Sequence, residues 1–229
     1  MLELLQFAGQ RFGGQMLYSG ERLEVPMSFD ALAMHAVKDE LESVLVGGQV
    51  EKVLALSPLE IGLRVWSHHR THNILISADA QAARVHLITD TLRRLTDDIT
   101  PFLLLMRKYV RDGRITAIEQ PPLERVVTLV VENRLEDGET SVCRLIIEVM
   151  GRHSNVILVG SDGKVLDALK RIPQSLSRQR LILPHQPYNP PPAVEKLSPV
   201  SPVLAGQLMA AAGQQPPGTP LWRFLQETV

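Results

Sequence analysis

Two short polar clusters near the middle of the chain carry the side chains best suited to bind a ligand. Glu124 and Arg125 directly precede a long apolar run, and Arg152, His153 and Asn155 come just before another, V-I-L-V. Apolar runs of this kind favour buried strands, so both clusters are predicted at strand ends on a rigid scaffold. A guanidinium suits phosphate or a stacked base. The clusters therefore indicate a folded RNA as ligand, and the alternative is that they are solvated surface charges.

No catalytic centre is recognisable in the sequence. It contains neither a glycine-rich phosphate-binding pattern nor a Gly-x-Ser-x-Gly elbow. His153 and Ser154 are adjacent, and neighbours in a strand point to opposite faces, so they do not form a base and a nucleophile. His68, His69 and His72 could suggest a metal, but a solvated turn without a nearby carboxylate is the better interpretation. We therefore expect a binding protein and not an enzyme, with no cofactor and no metal.

The composition indicates a soluble protein with an uneven charge distribution. The 229 residues include 24 Lys and Arg and 25 Asp and Glu, and a hydrophobic content of 45% is enough for a core. Residues 1–60 hold 4 basic and 9 acidic side chains, whereas residues 100–190 hold 13 and 10, so the later part could meet a polyanion. The single cysteine, Cys143, excludes an intrachain disulfide and fits a reducing cytosol. No run approaches the about 18 apolar residues of a membrane helix, and no signal peptide is recognisable. We expect a cytoplasmic location and no membrane partner.

The elements predicted around the two clusters occur twice. Apolar residues at helical spacing predict a helix from Phe29, with Ser28 as its N-cap and Gly47-Gly48 as its stop. A second helix starts at Thr100-Pro101 and stops at Asp112-Gly113. Each helix is followed by about four strands, which are predicted near residues 50–56, 63–66, 73–77 and 84–87, and then near 115–120, 126–131, 142–150 and 156–159. The segment G-G-Q-V-E-K-V at 47–53 matches D-G-R-I-T-A-I at 112–118, which indicates an internal duplication.

The predicted fold class is α+β, with the two helix-plus-antiparallel-strands units packed as a double-sheet sandwich. Residues 1–26 repeat no later pattern and are interpreted as an N-terminal extension. The main domain is predicted over residues 27–192 and ends in a proline-rich linker. Residues 193–229 are interpreted as the incomplete start of a helical second domain.

At these residues the chain resembles the N-terminal domain of the NFACT family, the RqcH-type proteins long described as fibronectin-binding protein A-like. The matching strings extend in order from residue 27 to residue 192. They include M-S-F-D, G-G-Q-V-E-K-V, I-L-I-S-A, P-F-L-L-L-M-R-K-Y-V, G-R-I-T-A-I-E-Q, L-E-R, E-V-M-G-R-H-S-N-V-I-L and L-P-H-Q-P-Y. Of these, M-G-R-H-S-N is the most specific.

The resemblance implies a ribosome-associated quality control factor. Members of the family bind the large ribosomal subunit that is stalled with peptidyl-tRNA, recruit tRNA and support template-free C-terminal tailing, with alanine in bacteria. It also implies a fold similar to the N-terminal domain of formamidopyrimidine-DNA glycosylases, followed by a helix-hairpin-helix module that would begin in residues 193–229. The partners expected for this chain are tRNA, with alanyl-tRNA as the expected species, and the large ribosomal subunit. DNA is not expected.

The family's tRNA-binding Asp-Arg pair falls on Glu124 and Arg125 of this chain. Arg125 matches directly, whereas Glu124 keeps the charge but adds a methylene, so its hydrogen-bonding reach differs. Arg152, His153 and Asn155 are expected to belong to the same RNA-binding surface.

Two other functions stay open. The fold similarity suggests a DNA-glycosylase-like enzyme, but such enzymes use an N-terminal proline that follows neither Met1 nor Met27 here. The older family description suggests a surface adhesin, for which no export signal or anchor is visible in the sequence.

Overall fold

The computed structural model describes residues 30–92, 99–122, 124–135, 138–177 and 180–192. The predicted extension 1–26, the Ser28 cap and the predicted start of a helix-hairpin-helix module in 193–229 lie outside these residues. The described residues up to Asn189 belong to one compact unit.

Within the described residues, this unit contains two α-helices, nine strands and one short 3-10 turn. In chain order they are α1 (Ala31–Leu45), β1 (Gln49–Ser57), β2 (Glu60–Ser67), β3 (Arg70–Ser77), β4 (Arg84–Ile88), α2 (Pro101–Tyr109), β5 (Arg114–Glu119), β6 (Val126–Arg134), β7 (Thr140–Glu148), the 3-10 turn Gly151–His153, β8 (Asn155–Val159) and β9 (Val165–Ala168). All the predicted elements within the described residues are present, and β9 is the strand that the sequence pattern did not indicate.

Both helices begin at a side-chain cap. The carboxylate of Asp30 accepts a backbone hydrogen bond of 2.8 Å from the first turn of α1, so the N-cap is Asp30 and not Ser28. Thr100 caps α2 as predicted, with Pro101 at a position where its missing N–H has no consequence. Neither of these two helices combines the length and the apolarity that crossing a bilayer requires.

The nine strands form one antiparallel sheet in the order β4-β3-β2-β1-β5-β6-β7-β8-β9. The sequence predicted a double-sheet sandwich, and the structure shows that the strands of both units are hydrogen-bonded into a single sheet. The physical reason is that the first strand of each unit, β1 and β5, would otherwise be an edge with unpaired backbone groups. Pairing these two strands joins the two units at a short seam, where Gln49 lies opposite Arg114.

Hydrogen bonds at this seam confirm the internal duplication. The Gly47 N–H donates to the Ile115 carbonyl at 2.8 Å, and the Asp112 N–H donates to the Val50 carbonyl at 2.7 Å. Gly47 and Asp112 are equivalent in the two matching segments, and so are Val50 and Ile115. Both Gly47 and Asp112 have positive φ, 83° and 68° respectively. The two units thus meet through a local two-fold arrangement of equivalent residues.

The two units also share one hydrophobic core. Helix α1 contacts β2 and β4 of its own unit and β5 and β6 of the other, while α2 contacts β1, β7 and β9. Leu63 and Ile76 of the first unit and Leu129 and Leu145 of the second are fully buried in the same cluster. A second, smaller cluster lies on the opposite face of β6–β9, where Ile182 and Tyr188 of the returning C-terminal segment cover it.

Candidate functional site

The structure brings the two predicted clusters to the same end of the sheet. Arg125 directly precedes β6, and Arg152 and His153 lie in the 3-10 turn that connects β7 to β8. The Val149 N–H donates to the Arg125 carbonyl at 2.9 Å, which continues the β6–β7 ladder past its last strand pair. The sequence prediction that both clusters end buried strands is therefore confirmed. We refer to Arg125, Arg152 and His153 together as the basic end.

The Arg125 side chain is exposed and available to a ligand. Within the described part of the chain, no hydrogen bond or ion pair engages its guanidinium. Glu124 is half-buried, and its carboxylate likewise forms no ion pair with the described residues. The expected steadying of Arg125 by its acidic neighbour is therefore not seen as an ion pair. Both side chains of the predicted pair are open to solvent.

A series of hydrogen bonds links the backbone at this pair to α1. The Glu124 N–H donates to the Pro121 carbonyl at 3.0 Å, and the Gln120 side-chain amide donates to the Glu124 carbonyl at 2.7 Å. The amide oxygen of Gln120 then accepts from Nδ1 of His35 at 3.1 Å. Sequence reasoning missed Gln120 and His35 because they are separated by 85 positions and neither has a local pattern. They connect the loop that carries Arg125 to a helix of the other unit.

The 3-10 turn presents Arg152 and His153 side by side. Both are exposed, and the Arg152 Nε–H donates to Nε2 of His153 at 3.0 Å. Buried Ser154 accepts from the Met150 N–H at 2.7 Å, and Gly151 has φ +55°, a conformation that favours glycine. The G-R-H-S order therefore produces a fixed turn with a cation and an imidazole on its outer side.

Asn155 has a different role from the one that the sequence suggested. Its side chain is 1% exposed. The amide donates to the Lys170 carbonyl at 2.8 Å and accepts from the Lys170 N–H at 2.9 Å. Because both polar atoms are already paired, the prediction that Asn155 contacts RNA is corrected. It is a structural residue that holds the chain at Lys170 against the start of β8.

A buried charged network lies directly behind the basic end, and the sequence analysis did not identify it. Glu148 is fully buried, pairs with Val126 on one side and Asn155 on the other, and faces the returning C-terminal segment. Nη1 of Arg180 donates to one carboxylate oxygen of Glu148 at 2.8 Å, and Nη2 donates to the other. The Tyr188 hydroxyl adds a third hydrogen bond of 2.8 Å. The one feature of the sequence that could have indicated this network is the acidic residue Glu148 at the end of the apolar run L-I-I-E.

The pKa directions of Tyr188 and Arg180 agree with their roles as hydrogen-bond donors in this network. Burial raises the pKa of the Tyr188 hydroxyl, and the nearby charge of Glu148 raises it further, so tyrosine keeps the proton that it donates. Burial alone would lower the pKa of Arg180, but its hydrogen bonds to Glu148 outweigh that effect and the pKa is raised. The network thus fastens the C-terminal segment to the strand from which the basic end projects.

Other basic side chains near this end are engaged within the protein. Lys170 donates to the Ala78 carbonyl at 2.6 Å, and its partial burial lowers its pKa. Arg171 binds both carboxylate oxygens of Asp167, at 2.8 and 2.9 Å. Among the described residues at this end, Arg125 and the terminal nitrogens of Arg152 are open to an anion.

The histidines at 68, 69 and 72 do not converge. His68 and His69 form the tight β2–β3 turn with positive φ, 48° and 61°, and His72 lies within β3. Across the described ranges, no group of three or more His, Cys, Asp or Glu side chains is placed to hold a metal ion.

The α+β domain with its nine-stranded antiparallel sheet matches one protein family. The family model of the NFACT N-terminal and middle domains matches residues 30–229, so the chain belongs to the NFACT family. The Rqc2 homolog RqcH of Streptococcus pneumoniae serotype 2 (strain D39) is 36% identical over 174 residues, which cover 76% of this chain and 31% of RqcH. Its counterpart in Bacillus subtilis (strain 168) is 31% identical over 175 residues, covering 76% of this chain and 30% of that protein. The chain thus spans about a third of the length of these relatives.

Solved structures of similar fold include the N-terminal domain of the fibronectin-binding protein PavA from Streptococcus pneumoniae. It has a TM-score of 0.75 and 31% identity, over 82% of this chain and 70% of that one. The fibrinogen-binding protein from Staphylococcus aureus has a TM-score of 0.65 and 26% identity, over 76% of this chain and 60% of that one.

Proposed function

We propose that this chain is the N-terminal part of a ribosome quality control factor, and that its basic end binds tRNA. The similarity to two proteins named RqcH supports the first part of the proposal. The observation that carries the second is the exposed guanidinium of Arg125, which has no partner among the described residues and lies at a strand end whose backbone is hydrogen-bonded on both sides. Within the full-length protein, the proposed partners are the obstructed large ribosomal subunit and alanyl-tRNA, and the proposed outcome is alanine tailing of the stalled chain in the cytoplasm.

The basic end suits a folded RNA in chemistry and in placement. Arg125 and Arg152 can each bind a phosphate with two parallel hydrogen bonds, and such contacts position an RNA without reading its sequence. His153 adds a planar ring that can stack on an unpaired base. The carboxylate of Glu124 can accept a hydrogen bond from a ribose hydroxyl or a base N–H. We propose a binding role for these residues, with peptide transfer left to the ribosome.

Replacing Arg125 with alanine tests the proposal. We expect tRNA affinity to fall about tenfold or more, because a charge-assisted contact worth roughly 1.5–3 kcal/mol is lost. The melting temperature should stay unchanged, because the guanidinium has no partner among the described residues. The measurement is the equilibrium binding of purified tRNA at one fixed salt concentration.

Arg134→Ala is the matched control for this variant. Arg134 is an exposed arginine at the opposite end of β6, and its Nε–H donates to the Gly138 carbonyl of the adjacent turn. It should bind tRNA like the unmodified chain. Unchanged tRNA binding by Arg125→Ala, or an equal loss in both variants, would show that the basic end is not the tRNA site.

Adhesion is the second candidate function, because the two structural relatives are named for fibronectin or fibrinogen binding. Cell fractionation of the full-length protein separates the two functions. A ribosome-associated pool in the cytosol supports the tRNA proposal, whereas a surface pool that is lost on mild protease treatment of intact cells supports adhesion.

A further inference from the structure

An exposed tryptophan lies on the outer face of the sheet, away from the basic end. Trp66 is 46% exposed near the end of β2, while its neighbours Leu63 and Val65 are fully buried in the core. Because side chains alternate along a strand, Arg64 and Trp66 both face away from that core. Tryptophan is highly buried on average in folded proteins, so this exposure makes an aromatic face available at the surface.

Cross-strand pairing surrounds the indole with basic and polar side chains. Residues directly opposite each other in antiparallel strands lie on the same face of the sheet. Arg64 pairs with Lys52 of β1 and with Asn73 of β3. Trp66 pairs in the same way with Gln49 and Thr71. We call this surface the Trp66 patch, and its residues are Gln49, Lys52, Arg64, Trp66, Thr71 and Asn73.

Two polar atoms in the floor of the Trp66 patch have no hydrogen-bond partner among the described residues. They are Nε of Arg64 and Oδ1 of Asn73, and both are buried. In the part of the chain that the structure describes, neither Arg64 nor Lys52 forms an ion pair. Buried polar groups in folded proteins are nearly always satisfied. Polar groups without partners among the described residues, next to an open aromatic ring, indicate a surface suited to a ligand.

We propose that the Trp66 patch binds single-stranded RNA, with a base stacked on the indole and the flanking phosphates on Lys52 and Arg64. Open aromatic rings beside cations are how proteins hold unpaired nucleotides. A duplex cannot supply an exposed base face to Trp66 without being opened. An acidic peptide would satisfy the two cations but would leave the indole without a stacking partner. The exposed side chains of His68, His69 and Arg70 extend the same rim with further polar and basic groups.

This site is separate from the basic end, although it deepens the proposed RNA-binding function and rests on it for its biological context. The loop at Ala80 approaches Gly151 of the basic end, and that loop follows Ser77, which pairs with Glu60 at the start of β2. Trp66 lies six residues further along β2, about 20 Å from Glu60 at the rise of an extended strand. One RNA could therefore contact both surfaces only by spanning that distance.

Tryptophan fluorescence tests the proposal directly. The chain contains two tryptophans, so Trp222→Phe leaves Trp66 as the sole emitter. We expect an oligouridine of about eight nucleotides to quench this emission saturably. An RNA duplex with the same number of phosphates should leave it nearly unchanged. Trp66→Ala should weaken oligouridine binding roughly tenfold in an anisotropy assay, as loss of one base–aromatic stack predicts.

Matched variants distinguish RNA binding at the Trp66 patch from nonspecific binding and from binding at the basic end. The double variant Lys52→Gln, Arg64→Gln should bind oligouridine with a weaker salt dependence. The slope of log affinity against log salt should decrease in magnitude by about 1.4, because two phosphate contacts are lost. Leu104→Ala, which removes a 54% exposed apolar side chain on α2, should change nothing. Arg125→Ala should retain oligouridine quenching, so failure of the tRNA proposal and failure of this one give different results. Absence of quenching in a protein with an unchanged melting temperature, or equal quenching by polyglutamate, overturns the proposal.

Discussion

Single substitutions are expected to reduce stability strongly at the buried ion pair of Glu148 and Arg180. The side chain of Glu148 is fully buried and that of Arg180 is 12% exposed. Removing a charge from water is costly, and the pair tolerates burial because both carboxylate oxygens accept hydrogen bonds from arginine, with a third from Tyr188. The pair lies one residue behind Val149, whose N–H fixes the Arg125 backbone. Its loss should therefore affect both folding and the basic end.

Glu148→Ala should lower the free energy of unfolding by about 3–5 kcal/mol, because it leaves the Arg180 charge buried without a counter-ion. Glu42→Ala is the control, since Glu42 forms an exposed i,i+4 pair with Lys38, and surface pairs contribute below about 1 kcal/mol. Urea denaturation measures both values. Should the Ala variant not fold, Glu148→Gln keeps the shape and should still be clearly less stable than the Glu42 variant. Equal small losses at both positions would contradict this account.

At the residue scale, the sequence predicts roles that depend on neighbouring residues, but not roles that depend on a partner far away in the chain. The position of Arg125 follows from the apolar run after it, because a run of that length predicts a strand and therefore a strand end. The role of Asn155 does not follow, because its partner Lys170 is 15 positions away. The pairing of Glu148 with Arg180 spans 32 positions, and no local pattern distinguishes this arginine from the free one at 125.

At the scale of elements, two glycines permit the β1–β5 seam. A Cβ on Gly113 would lie 2.6 Å from Cγ1 of Val131 and 3.1 Å from the Glu132 carbonyl oxygen. At the equivalent Gly48, a Cβ would lie 2.8 Å from Cβ of Ser67 and 2.9 Å from the Leu45 carbonyl oxygen. Both positions leave no room for a side chain where the end of each helix approaches the strands.

Gly113→Ala and Gly48→Ala should each lower the free energy of unfolding by about 1–3 kcal/mol, the usual cost of forcing a methyl into a packed site. The two losses should be similar, because the two positions are equivalent in the duplication. Gly138→Ala is the control: its φ is +86° but no atom lies within 4 Å of the added carbon, so only backbone strain of about 1 kcal/mol is expected. Chemical denaturation of the three variants gives the comparison. A large loss at Gly113 with none at Gly48 would argue against a symmetric seam.

The sequence predicted the elements well and their assembly less well. The repeated helix, glycine stop and strands were visible because the 47–53 and 112–118 segments keep the same residue types at the same spacing. The sequence did not reveal that the two units join into one sheet. The contact between β1 and β5 is short, with a single residue pair, Gln49 opposite Arg114, in its strand register. Strand β9 was missed because its four residues follow a turn and include the buried Asp167.

At the scale of the whole unit, the shared core makes the two repeats depend on each other. Each helix packs on strands of both repeats, and fully buried residues of both lie in one cluster. Neither repeat can bury its apolar face without the other. The two proposed RNA-binding surfaces therefore lie on one cooperative body, the basic end on the second repeat and the Trp66 patch on the first.

One unfolding transition should consequently be seen by probes placed in different repeats. In the Trp222→Phe variant, Trp66 emission reports on the first repeat. Cys143 reports on the second, because it is 1% exposed and burial raises the pKa of its thiol to about 12, so that the native thiol should resist alkylation at neutral pH. Urea titrations followed by Trp66 emission and by pulsed Cys143 alkylation should have the same midpoint, as two-state unfolding requires. If Cys143 becomes reactive at a urea concentration where Trp66 emission is still native, the second repeat opens on its own and the shared core does not couple the two halves.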